Sequence, residues 1–161
     1  MKNKSIRKAI RSPLLAVALV VVFAGTVLAT SASGFHPTIL GRATLGDSVH
    51  YNTGEVKFQT KDPVDFVTAT VTIDPLGSSG WHSHPGVVLV SVVSGSLVVY
   101  DAHCAATVYA AGSAFTESGN EPGLVRNESA TTPEVSYVTY LVPAGTTALR
   151  IDQANPGCPQ N

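Results

Sequence analysis

Apolar and polar residues alternate with a period of two through much of the chain after position 54, and no stretch there keeps a helical period. Glu55–Thr60 (EVKFQT) puts Val56 and Phe58 on one face, and Asp65–Ile73 (DFVTATVTI) is dense in β-branched residues, so both predict strands. Two apolar runs, Val87–Val93 and Leu97–Tyr100, flank Ser94-Gly95-Ser96 and predict a β-hairpin closed by a short glycine turn. Short strands are expected at Thr107–Tyr109, Ala114–Thr116, Leu124–Arg126 and Thr147–Ile151. Pro133 opens the longest alternating run, Glu134–Val142, in which Val135, Tyr137, Thr139 and Leu141 share one face and Ser136, Val138, Tyr140 and Val142 the other. About nine short strands with Gly and Pro turns between them predict an all-β protein, an antiparallel sandwich or closed barrel.

The chain before this region reads differently. Lys2, Lys4, Arg7, Lys8 and Arg11 form a basic head, Leu14–Ala29 is apolar, and small residues follow in VLATSASG. This is the layout of a secretory signal peptide over 1–29, with Ala29 or Ala32 as the last residue removed. The rival is an uncleaved membrane anchor, because nothing charged lies between Arg11 and Arg42 and a span needs roughly 20 residues. Residues 30–51, broken by Gly34, Pro37, Gly41 and Gly46, predict a weakly ordered linker, which leaves 52–161 as the folded domain.

Losing the head removes five of the ten basic residues and none of the eleven acids, so the exported domain is acidic. The remaining Arg42, Lys57, Lys61, Arg126 and Arg150 are scattered singly. A nucleic-acid partner needs clustered cations to displace counterions, so that class is excluded. The two cysteines, Cys104 and Cys158, predict one disulfide in an oxidising, extracytoplasmic space, since neither has a Cys or His partner at the C-x-x-C type of metal-ligand spacing.

Candidate chemistry centres on GWHSHPG. His82 and His84 stand two apart at a strand entrance, and period-two alternation sends both imidazoles to one face, a pairing suited to a metal ion. His36 and His50 have no patterned neighbour and read as solvated. Asn127-Glu128-Ser129 matches a glycosylation sequon, but a tripeptide match arises often by chance.

From Val64 to Val142 the chain resembles the cupin superfamily. That family's first motif runs Gly, five residues, His-x-His, three or four residues, Glu, six residues, Gly. Here Leu76 takes the leading Gly position with Gly77 beside it, His82, His84 and Gly95 fit, and Val88 stands where the Glu belongs. In the second motif Gly112 and Asn127 fit the ends, and Gly123 takes the place of a His. GWHSHPG with VVSG, Phe115 two before Glu117, Arg126-Asn127-Glu128 and Cys158-Pro159 also resemble a group of small exported bacterial cupins.

The resemblance implies a single jelly-roll barrel in which His82, His84 and Val88 face inward. Two family ligands are missing, so a metal would take its remaining protein ligand from Glu117 or Glu121, giving a His-His-carboxylate set suited to Fe(II), Mn(II), Ni(II) or Zn(II). Trp81 has the opposite parity and is expected to pack under the barrel or at its rim, and Tyr137 and Tyr140 to serve as core. Three functions stay open: a module binding a small molecule or a modestly held metal ion, a metal-dependent oxygenase or isomerase, and a metal-free structural barrel. The membrane is a partner only if the head is retained, and a homodimer is left open.

Overall fold

The computed structural model of the protein describes residues 29–160; these form twelve strands and, among the described residues, no helix. The basic head and the apolar run before Ala29 lie outside the described residues, so the expected signal or anchor segment is not described.

Eight strands make one antiparallel sheet: β1 (Ser33–Leu45), β4 (Val64–Ser78), β6 (Val87–Ser94), β7 (Ser96–Tyr100), β8 (Ala106–Ala110), β9 (Ala114–Ser118), β10 (Leu124–Arg126) and β11 (Glu134–Pro143). Their order is β8-β7-β10-β4-β11-β6-β9, with β1 paired along β4. Two small sheets complete the structure: β2 (His50–Asn52) with β3 (Lys57–Gln59), and β5 (His82–Ser83) with β12 (Ile151–Asp152).

Alternation decides which side chains are buried. Val67, Ala69, Val71 and Ile73 of β4, Val88, Val90 and Val92 of β6, and Val138, Tyr140 and Val142 of β11 join Leu97, Phe115 and Val125 in one core. For the inward residues of strands that far apart in the sheet to share a core, the sheet must roll up. The fold is the all-β, antiparallel jelly-roll barrel, nearly closed, that the motif implies.

Three expectations are corrected. The stretch read as a linker, 30–51, contains β1, a thirteen-residue strand that runs along β4 from Ser33↔Ser78 to Leu45↔Val64. Its glycines and proline mask the strand because β1 pairs only with β4, and such a strand tolerates a Pro that donates no ladder bond; register shifts leave Gly34 and Leu40 out of the pairing.

Ser94-Gly95-Ser96 is not a hairpin turn: β6 pairs with β9 and β11, whereas β7 pairs with β8 and β10. It is a corner where the chain leaves one wall of the barrel for the other. Gly95 has φ 74°, and a Cβ there would lie 2.9 Å from the Pro133 carbonyl and 3.1 Å from Glu134 Cα, so both the backbone and the close approach require glycine. Finally, of Thr147–Ile151 only Ile151 is in a strand, β12.

Asn127 is buried, and its Nδ2 donates to the Ile73 carbonyl at 3.0 Å and the Thr132 carbonyl at 2.8 Å, which fixes the approach to β11 and leaves no glycan acceptor. Leu76, at the family's leading glycine position, has φ 60°, the left-handed conformation that glycine adopts without cost. Cys104 and Cys158 form a disulfide with Cα atoms 5.5 Å apart. It holds the carboxy-terminal tail against Trp81, which is wholly buried with Leu124 and Cys158 and donates from Nε1 to the Gln160 carbonyl at 3.2 Å.

Candidate metal centre

His82 and His84 enter the barrel on and just after β5, the short strand held between two neighbours. On one side β12 pairs with it, Asp152 opposite His82. On the other, His82 and Gly123 exchange both backbone hydrogen bonds, 2.9 Å and 2.8 Å. Both histidines are buried, and their rings stand edge to face with centroids 4.8 Å apart.

The hydrogen bonds fix the tautomers. His82 Nδ1 lies 2.9 Å from the Gly80 carbonyl, and His84 Nδ1 lies 2.7 Å from the Leu149 carbonyl. A carbonyl oxygen only accepts, so each Nδ1 carries a proton, and each neutral ring presents a bare lone pair at Nε2. This is the outer-shell arrangement that prepares an imidazole for a metal.

Glu117 supplies the third donor. It sits on β9 directly opposite Val88 of β6, whose other neighbour is Tyr140 of β11. The carboxylate missing at 88 is thus replaced from the paired position one strand over, where cross-strand Cβ atoms lie about 5 Å apart. Donor atoms of His82, His84 and Glu117 all fall within 4.8 Å of one another. Bonds of about 2.1 Å set donor separations near 3–3.5 Å, so the group needs only a small closing movement to enclose an ion.

His84 Nε2 and Glu117 Oε2 are 3.4 Å apart, yet the buried Nε2 has no hydrogen-bond partner. These facts agree once the tautomer is fixed, because two lone pairs face each other with no proton between them. Only a cation or an added proton relieves that contact. The chemistry of three converging donors with an orphaned Nε2 therefore fits a divalent ion.

Burial lowers the pKa of His82, helped by His84 and Arg150 and opposed by Glu117 and the Gly80 carbonyl. Burial raises that of Glu117, but the neighbouring His84 and His82 and the Arg150 charge outweigh it, and the carboxyl stays below its usual range. Both directions favour the forms that ligate, neutral imidazole and carboxylate.

Glu121 is not part of this group. It is exposed on the turn after β9 and lines an outer recess of about 230 Å³, together with His82, His84, Glu117 and Gly123. Inward lies a second space, a cavity of about 170 Å³ walled mainly by Val, Ile, Leu and Phe, with Tyr140, Arg150, Glu134 and Ser136 as polar contributors. The three donors sit in the partition between the two spaces.

Tyr140 is buried, 5.8 Å from the His84 ring, and burial together with the Glu117 charge pushes its hydroxyl up to about 12 against the pull of Arg150, so it acts as a neutral cavity wall. Tyr137 is 55% exposed and belongs to neither core nor cavity, because its parity on β11 turns it outward.

Sequence reasoning missed Glu134. This wholly buried carboxyl lines the cavity at the start of β11, and burial raises its pKa to about 7 against the hydrogen bond from Ser136. Its parity with Ser136, Val138 and Tyr140 was the signal for it.

Fold and site together define a small jelly-roll barrel with two histidines and one carboxylate converging between two cavities. No family model and no curated protein matches the chain. Among solved structures it is similar to a cupin domain from Bordetella pertussis, with 18% identity over 68% of this chain and 94% of the other and a TM-score of 0.46. A cupin from Shewanella frigidimarina gives 14% identity over 72% and 86% at 0.46. An oxalate oxidase gives 22% over 46% of this chain and 40% of its own length at 0.41, so the chain spans well under half of that enzyme. These likenesses concern the fold.

Proposed function

We propose that this is an exported cupin-type binding protein that holds one divalent first-row ion, Fe(II), Mn(II), Ni(II) or Zn(II), on His82, His84 and Glu117, and takes a small molecule into the cavity behind it. The carrying observation is the convergence of two lone-pair nitrogens and a carboxylate, with the tautomers set by the Gly80 and Leu149 carbonyls. Export is supported by the Cys104–Cys158 bridge and by the basic-then-apolar head; in this reading residues up to Ala29 or Ala32 are removed. Affinity is modest, because three ligands make an incomplete shell.

Calorimetric titration of the purified protein with Zn(II) and Mn(II), beside His82→Ala, tests the centre. The expected result is about one ion per chain at pH 7, lost in the variant, and weakening as pH falls below about 6.5, where protons compete for the imidazoles. No binding by the unaltered protein at pH 7 overturns the metal reading and leaves the metal-free barrel.

A metal-dependent oxygenase or isomerase is the second reading. One observation favours it: three protein ligands leave coordination positions open beside the cavity. Consumption of a cavity ligand only by metal-loaded protein would select it over the binding module.

A further inference from the structure

The inner cavity has a polar group at the end away from the histidines. On β11 the inward residues run Glu134, Ser136, Val138, Tyr140. Tyr140 lies opposite Val88 and beside His84, whereas Glu134 lies opposite Ile73 and against the Gly95 corner. Six positions separate the two on the strand, roughly 20 Å at the usual rise. Glu134 therefore belongs to the cavity floor and is no part of the metal centre.

Its two oxygens differ. Oε1 accepts the Ser136 hydroxyl hydrogen, and Oε2 has no partner among the described residues although it is buried. Around it the wall is apolar, with Val71, Ile73, Leu97 and Val138 lining the same cavity. A carboxylate with one hydrogen bond in such a wall is costly, so below about pH 7 the neutral acid is the main form. Since Oε1 is already an acceptor for Ser136, the acid proton sits on Oε2, where it is an O–H donor without an acceptor. An unsatisfied buried donor is a standing cost that a bound acceptor removes.

We infer that Glu134 is a ligand-recognition residue: the cavity takes a compact, neutral, apolar molecule carrying one hydrogen-bond-accepting oxygen, and Glu134 Oε2–H donates to that oxygen. This rests on the reading that the cavity binds a small molecule, and it names the class. Size agrees, because about 170 Å³ slightly exceeds the ~150 Å³ apolar cavity that accepts benzene. An ammonium ligand is disfavoured, since both it and Glu134 would have to be charged and desolvated in an apolar wall.

The test uses two probes of nearly equal shape, cyclohexanone and methylenecyclohexane, titrated at pH 5.5 into the purified protein, Glu134→Gln and Glu134→Leu. The expected result is binding of both, with a ketone preference that Glu134→Gln keeps, through its amide N–H, and Glu134→Leu lowers by about five- to tenfold, the worth of one net hydrogen bond. In the unaltered protein the bound ketone's C=O stretch should fall below its value in hexane, a readout that needs no variant. Binding of both probes with an unshifted stretch, or with equal preference in Glu134→Leu, overturns the role of Glu134 and leaves the binding cavity standing. Binding of neither probe overturns both. Tighter binding of cyclohexylamine than of cyclohexanone overturns the neutral-ligand class.

Discussion

Replacing Glu134 by Gln should raise stability at high pH and hardly change it at low pH. The carboxyl has a folded pKa of about 7 against an ordinary value of 4.5, because burial disfavours its charge. Raising an acid's folded pKa means that the native chain keeps a proton the unfolded chain has released, so stability falls as pH rises from about 4.5 to 7.

The full gap of these two values, at 1.36 kcal/mol per unit, is about 3 kcal/mol, of which about 2.5 is lost between pH 5 and pH 8. Glu134→Gln keeps an acceptor for Ser136 and mimics the neutral acid, so it lacks this loss. His82 works in the opposite sense: its folded pKa is lowered, so its contribution is lost as pH falls below about 6.5. It is present in both proteins and cancels in the comparison.

Urea unfolding at pH 5 and pH 8 measures the difference. With a slope near 2 kcal/mol/M, the midpoint gap between variant and parent should widen by about 1 M. If the two midpoints move in parallel with pH, Glu134 is not a buried acid of raised pKa, and the account of the cavity floor is wrong.

Other outcomes follow from the same geometry. Cys104→Ser with Cys158→Ser should cost up to about 4 kcal/mol in the chain-entropy account and shift the emission of Trp81, the one tryptophan, to longer wavelength as the tail leaves it. Glu117→Gln should weaken metal binding by about a hundredfold and Glu121→Gln should not, as read by calorimetry. Gly86→Ala should destabilise by about 3 kcal/mol in urea unfolding, because its Cβ would collide with the Leu141 carbonyl oxygen.

The legible parts of this protein were those in which one strand carries its own pattern. Asp65–Ile73 and Glu134–Val142 alternate, and their apolar inward positions are buried in the structure. Parity likewise put His82, His84 and Val88 on a common side, and all three line the inner cavity.

What sequence did not reveal depends on which strands are neighbours. Glu117 and Glu121 looked equivalent until the pairing of Val88 with Glu117 separated them. The glycine turn at 94–96 looked like a hairpin because its flanking runs could pair, and only the partners actually taken by β6 and β7 show a corner. β1 gains order from β4, not from its own residues. Glu134 escaped notice because a lone acid after a proline reads as a solvated strand end.

The histidine strand is finished by residues far along the chain. β12 is its sheet partner, the Leu149 carbonyl holds the His84 proton, Arg150 donates to the Ser79 carbonyl at 2.6 Å, and Cys158 anchors the segment to Cys104. During synthesis, His82, His84 and Glu117 emerge well before residues 149–158. An ion arriving in that interval meets a bare strand with a free imidazole tautomer. If the centre takes an ion as proposed, loading would follow completion of the chain, once the two cysteines are joined.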